Sequence, residues 1–269
     1  MIERQGKVVK LDLQDALDLV DPDRNGYRGS GTHDSYFAGA TKEESRILEV
    51  EGYREGANSL KARAGVMAKV RESNRPKAFW DTSGSQVDMG RFMTGEPENM
   101  VRVIRQRRAA PVCKLGIERW VNAGVSKEDI ETVGAGVLAA VEALRTAGVP
   151  TELWITYTFA DTTRGNYRSI HVLLQEAGKP IDADRLAYWT MHPAALRVTG
   201  FDLAAEALEP GDAKAFGFYP GGWCGYLPGN MDLNERNREF DELAPSFAKE
   251  VESWLDDVLM RRAGVDLRK

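Results

Sequence analysis

The chain has 269 residues, 42% of them hydrophobic and 29% charged, with a formal net charge of −5 and two cysteines. These proportions argue against a disordered or fibrous chain, and no apolar run reaches the ~18–20 residues of a membrane span. Cys113 and Cys224 are too few for a disulfide scaffold and fit a reducing cytoplasm, and a pI near 5.5 argues against bulk nucleic-acid binding.

The opening stretch MIERQGKVVKLDLQ lacks the apolar core of a secretory signal. Leu11, Leu13, Ala16, Leu17 and Val20 predict a short apolar helix, stopped by Asp21-Pro22-Asp23 and Asn25-Gly26. A loop at Gly29-Ser30-Gly31-Thr32 follows. Thr41 and Glu44 have the spacing of a capping box, in which each residue satisfies a backbone N–H of the other. They open a polar helix with Ile47, Leu48 and Val50, and Gly52 and Gly56 interrupt it before a further helical stretch through Leu60, Val66, Met67 and Val70. Residues 1–75 are therefore expected as a helical N-terminal attachment, and 76–269 as an α/β core with a C-terminal elaboration.

Lys77-Ala78-Phe79-Trp80 predict a short strand that ends in Asp81-Thr82-Ser83-Gly84-Ser85. A second strand is expected within 111–122. Ser126 and Asp129 open the clearest helix, with Ile130, Val133, Val137, Val141 and Leu144 on one stripe and Gly148 as its stop. The β-branched and aromatic run Thr151 to Phe159 predicts a central strand, and Ile170 to Leu174 another. Residues 184–208 read as broken helix with a boundary at Pro193, and 215–230 as Gly- and aromatic-rich strand and loop. Phe247, Val251, Trp254, Leu255, Val258 and Leu259 share a face of a last amphipathic helix. Strand and helix in this alternation favour an α/β, Rossmann-like fold: a mostly parallel sheet flanked by helices.

Asp81, Ser83 and Ser85 directly follow a strand, and in an open α/β sheet the ligand crevice lies at the carboxyl ends of strands. One carboxylate and two hydroxyls suit a hard cation such as Mg²⁺, which takes oxygen ligands and keeps several waters. The motif resembles the metal-ion-dependent adhesion site of von Willebrand factor A-type domains. That resemblance implies a von Willebrand A-like core over about residues 76–175 and two further ligands, Thr132 and Asp161. It also implies a divalent cation bridging to an acidic side chain of a protein partner, and an AAA+ ATPase as one conceivable partner. A second likeness is wider. Asp81-Thr82-Ser83-Gly84-Ser85-Gln86-Val87-Asp88-Met89-Gly90, Gly95-Glu96-Pro97-Glu98-Asn99-Met100 and Gly52-Tyr53-Arg54-Glu55-Gly56 resemble an uncharacterised family of tailed-bacteriophage proteins. It implies a phage or prophage origin, hence the cytoplasm of an infected bacterium, and no reaction.

Asp88, Glu96 and Glu98 add acids to the same region. With Asp81 and Asp161 they offer the alternative of a two-metal phosphoesterase or nuclease, their plainer reading being a rigid Gly-Glu-Pro-Glu turn with solvated acids. Arg102, Arg105, Arg107 and Arg108 form one basic cluster, Arg164 and Arg168 a second. Around one crevice they would hold an anion or RNA, although a solvated helix face is favoured. His33, His171 and His192 lack metal-ligand spacing; His171 reads as a hydrogen-bonded core or edge histidine and His192-Pro193 as a helix boundary. Cys113 reads as a small core residue, and Cys224 as the more exposed thiol. A metal-free structural or interaction protein is the third reading.

Overall fold

The computed structural model describes residues 2–20, 39–59, 77–104, 111–119, 125–161, 166–180, 182–209, 240–243 and 245–265. Its large sheet takes in β1 (Glu3–Gln5), β2 (Val8–Asp12), β6 (Cys113–Glu118), β7 (Thr151–Asp161), β8 (Asn166–Gln175) and β9 (Asp241–Leu243), in the order β1-β2-β8-β7-β6-β9. The pairings β2–β8, β6–β7 and β6–β9 are parallel, whereas β1–β2 and the hairpin β7–β8 are antiparallel. The sheet is thus mostly parallel, and the fold is α/β as the strand–helix alternation predicts. A separate three-stranded antiparallel sheet holds β3 (Lys77–Asp81), β5 (Met100–Ile104) and β4 (Gln86–Val87) in that order.

The helices are α1 (Leu13–Val20), α2 (Lys42–Glu51), α3 (Arg54–Ser59), α4 (Met89–Met93), α5 (Lys127–Thr146), α6 (Ala183–Met191), α7 (Phe201–Ala207) and α8 (Val251–Ala263). Among the described residues, none is long and apolar enough to cross a membrane.

Strand alternation divides the large sheet into two chemically different faces, because successive side chains point to opposite sides. Leu11, Val172, Ile155, Ile117 and Leu243 stand abreast across five strands as one apolar row. That row joins the core under the helices. One residue earlier or later on each of four strands, Lys10, His171, Thr156 and Glu118 form a polar row on the opposite face.

The connection β6–α5–β7 is a parallel crossover through one helix. Ser126 caps α5 by accepting from Asp129 N at 3.1 Å, and Glu128 and Asp129 lie in its first turn, where the helix dipole favours acids. Its apolar stripe is almost wholly buried, together with Gly134, Ala135, Gly136, Ala139 and Ala140. These small residues let another helix come close. A Cβ at Gly134 would lie 2.3 Å from the Thr190 carbonyl oxygen of α6. Gly148, at φ +78°, ends the segment as expected.

Local differences from the sequence pattern have simple causes. Leu11, read as helical, belongs to β2, because Val9 and Leu11 alternate with exposed or half-buried neighbours and pair with β8. Residues 1–75 supply β1 and β2 to the large sheet, while α2 and α3 pack on α6. Thr41 and Glu44 form the expected capping box. The broken helix at 184–208 resolves into α6, a π-helical turn Ala195–Gly200 and α7, with His192 as the C-cap before Pro193. A 3₁₀ turn Pro245–Glu250 leads into the last helix, α8. The expected helix through 60–70 and the Gly/aromatic stretch 215–230 lie outside the described residues.

Candidate functional site

Asp81, Ser83 and Ser85 stand on the small sheet, at the end of β3 and in the turn to β4. β3 therefore runs antiparallel beside β5, and is not a strand of the large sheet. Ser85 N donates to Val101 O at 3.0 Å, and Gly84 lies so close that a Cβ would meet the same carbonyl oxygen at 2.4 Å. Asp81 Oδ1 accepts from Thr82 N at 2.7 Å, and Oδ2 faces Arg102 Nη1 at 3.1 Å. Arg102 and these hydrogen bonds hold its carboxyl below the usual carboxylate range.

Thr132 is exposed on α5, and Asp161 ends β7 opposite Asn166. The side chain of Asp161 lies outside what is described. As placed, the expected donor set is split: three members on the small sheet, two on the large-sheet layer. Asp81's oxygens are already occupied by Arg102 and the Thr82 N–H. Among the described residues, no group of three or more His, Cys, Asp or Glu side chains is arranged to hold a metal ion.

The neighbouring acids serve local structure. Asp88 caps α4, its Oδ1 accepting from Gly90 N and Arg91 N, and its Oδ2 accepts from Trp80 Nε1 at 3.1 Å. The Arg91 N–H leads the hydrogen bonds that hold its carboxyl low. Glu96 pairs with Arg91, whose Nε also donates to Glu98 O at 3.0 Å. Arg168 is half-buried on β8 opposite Phe159. Arg105, Arg108 and Arg164 lie outside the described residues.

Among what this module leaves in water are several large apolar side chains. Phe79, Trp80, Val87, Met89, Phe92 and Met93 are all exposed, Trp80 at 54%, Phe92 at 56% and Met93 at 78%. The Arg91 guanidinium lies 4.7 Å over the Trp80 ring, while Asp88 holds its indole N–H. Trp80 is thus fixed in place yet open to solvent. Within 77–104 the elements pack on one another, and among the described residues they make no extensive contact with the large sheet or its helices. Sequence reasoning read Phe79 and Trp80 only as part of a strand and gave Met89, Phe92 and Met93 no role, although their i, i+3, i+4 spacing puts them on one face of α4.

The large sheet carries a group of polar side chains of which the sequence singled out only His171. Ser169 Oγ lies 2.8 Å from His171 Nε2 and 3.2 Å from Thr158 Oγ1, all three buried. His171 is the hydrogen-bonded core histidine its strand position suggested. Glu118 is buried beside them, its Oε1 accepting from Thr158 N at 3.3 Å. On the helical side, Arg119 is fully buried and donates to the carbonyls of Thr190 and His192. Glu49, Ser45, Tyr188 and Thr199 join α2 to α6 and the π turn, and Arg46 links Glu49 to buried Asp202. Burial pushes the Glu49 carboxyl up, with Arg46 and Thr199 opposing. Cys113 is buried with its thiol raised to about 11, first by burial and then by Asp241, so it is an inert core residue at neutral pH. Cys224 lies outside the described residues.

A mostly parallel α/β sheet with a separate small antiparallel sheet thus defines the class of protein. Residues 6–246 match a family described as Domain of unknown function (DUF7192), and the chain belongs to that family. No curated protein and no solved structure matches it.

Proposed function

We propose that the chain is a binding protein that holds a protein partner on the module of residues 77–104. The observation that carries this reading is the group of six large apolar side chains left in water between Phe79 and Met93. Single exposed apolar residues are ordinary, but Met89, Phe92 and Met93, at i, i+3 and i+4, share a face of α4, and Trp80 is tied to the same segment through Asp88 and Arg91, which favours an interaction surface. Removing one such side chain from water is worth about 1.5–3 kcal/mol. Trp80, stacked by Arg91 and tethered by Asp88, loses little freedom on binding, which favours it as an anchor. The likeness to tailed-phage proteins would put the partner inside an infected bacterium, and the likeness to von Willebrand A domains makes an AAA+ ATPase one candidate.

A photo-crosslinking phenylalanine analogue in place of Phe92 should give a discrete adduct in cells that produce the chain. The same analogue at Val50, exposed on α2, should give none. Trp80→Ser should abolish the adduct while moving the melting midpoint by no more than about 2 °C, since an exposed side chain supports little stability. Equal adducts from both positions, or an adduct indifferent to Trp80→Ser, would sink the proposal.

A divalent cation at Asp81, Ser83 and Ser85, with Thr132 and Asp161, belongs to the same reading. Mg²⁺ would supply a bridge to a partner's acidic side chain, and it would have to displace Arg102 from Asp81. Arg102→Gln frees that carboxylate. On this reading Mg²⁺ should raise the melting midpoint of Arg102→Gln more than that of wild type, and EDTA should reverse the gain. The shift should vanish in Asp81→Ala. Identical melts with Mg²⁺ and EDTA in all three proteins would remove the cation from the reading.

A further inference from the structure

A cavity of about 410 Å³ opens where the carboxyl ends of parallel β2 and β8 meet the starts of α1 and α6. This is where α/β sheets place ligands, and the volume suits a small molecule. Leu13, Leu173, Leu186 and Pro180 supply apolar lining. The charged lining is uneven in its commitments. Asp12 caps α1 through Asp15 N at 2.8 Å, and Lys179 faces Glu176 at 3.7 Å. Asp182 caps α6 with Oδ1 alone, accepting from Arg185 N at 3.1 Å.

Arg185 differs from its neighbours. Its backbone is pinned by that cap and by Gly52, where a Cβ would lie 2.6 Å from Arg185 N. Its guanidinium has no hydrogen-bond or ion-pair partner among the described residues, and its Nε is buried from water. A fixed backbone and a guanidinium with no partner among the described residues, beside a half-open cavity, leave room for an acceptor from outside. A plain anion would also meet Asp12, Glu176 and Asp182, three carboxylates against two cations. A ligand carrying both charges would not be repelled.

We infer that this cavity binds a small zwitterion with an apolar body, an amino acid or close analogue, with its carboxylate on Arg185 and its ammonium facing Asp182. The leucine lining takes the side chain. This site is separate from the partner-binding module, so either can fail alone.

Calorimetry on the full chain at neutral pH tests it with L-phenylalanine, 3-phenylpropionate, which lacks the ammonium, and 2-phenylethylamine, which lacks the carboxylate. L-Phenylalanine should bind about tenfold tighter than either analogue, as expected for one charge-assisted contact. Arg185→Gln and Asp182→Asn should each weaken it about tenfold, and asparagine keeps the helix cap. Asp182→Asn should not weaken 3-phenylpropionate, and Arg185→Gln should not weaken 2-phenylethylamine, since each change removes a like charge from the analogue's surroundings. The inference is overturned if L-phenylalanine shows no saturable binding up to about 10 mM, or if it binds both variants as tightly as wild type.

Discussion

Replacing Gly134 with alanine should lower the free energy of unfolding by about 2–3 kcal/mol, the usual cost of overpacking a tight contact. In solution that is a drop of about 4–5 °C in melting midpoint for a chain of this size. The cause is the crossing of α5 and α6. An added Cβ would sit 2.3 Å from Thr190 O and 2.6 Å from both Thr190 C and Met191 Cγ. The first two neighbours are backbone, so they can yield only if the helices part, and interiors packed at crystal density resist that. Helix propensity acts the other way, since alanine is better than glycine by about 1 kcal/mol in a helix interior. A neutral or stabilised Gly134→Ala in urea denaturation would therefore mean that the two helices are not in backbone contact. Gly90→Ala in exposed α4, where the nearest atom is Asp88 Oδ1 at 3.3 Å, should change little.

Acidification should cost nearly as much. Burial, with repulsion from Lys127 and Arg119, pushes the His192 imidazole down to about 4 from its ordinary 6.5, and Glu44 opposes weakly. The ring is packed between Tyr53 at 4.9 Å and Tyr188 at 5.7 Å, and its Nδ1 accepts from Ala194 N. As pH falls, the unfolded chain takes up this proton first. The contribution is therefore complete above pH 6.5 and is lost progressively down to about pH 4, about 3 kcal/mol in all. Glu49 works in the opposite sense, because a raised carboxyl favours the folded state once it is protonated. Asp81 and Asp88, held low, lose their contributions only below the usual carboxylate range. Unfolding free energies at pH 7, 5.5 and 4.5 should fall steeply for wild type and less for His192→Gln. Parallel curves for the two would assign the acid sensitivity elsewhere.

Much of the large-sheet layer could be read from side-chain pattern alone. Ser126, the stripe Ile130–Leu144 and Gly148 specify a capped, stopped helix through local chemistry, and the structure has it. The β-branched run at 151–159 and the run at 170–174 are buried strands of the same sheet. The break at His192-Pro193 follows from the missing N–H of proline. What local pattern does not carry is which strands become neighbours. β3 looks like any other short strand, yet it pairs with β5 twenty residues on and stays out of the large sheet.

The same blindness governs the candidate site. Asp81, Ser83 and Ser85 are adjacent in sequence and therefore adjacent in space, but their grouping with Thr132 and Asp161 depends on topology. Ion pairing is equally hidden: nothing in the spacing of Asp81 and Arg102 announces a contact at 3.1 Å. The proposed docking surface is legible only in retrospect. Phe79, Trp80, Met89, Phe92 and Met93 sit in a stretch rich in Asp, Ser and Gly, with no second apolar layer in sequence to cover them. Arg185 and Asp182, three residues apart at the start of α6, look like an ordinary capped first turn until the cavity beside them is seen.

The pairing of β2 with β8 also sets an order of events in synthesis. Val8 lies beside Ser169, so β2 leaves the ribosome about 160 residues before its neighbour exists. At translation rates of ~5–20 residues per second it waits on the order of ten seconds with Val8, Val9 and Leu11 uncovered. At the other side of the sheet, β9 reaches β6 only after residue 241 has been made. The crossover β6–α5–β7, local in sequence, is complete by residue 161, just before β8 is made and about 80 residues before β9. A nascent chain stalled before residue 166 would hold β6, α5 and β7 with both flanks of the sheet open, a species prone to pair with other strands. The late arrival of β8, more than any single contact, is therefore the step at which this protein depends most on being left undisturbed.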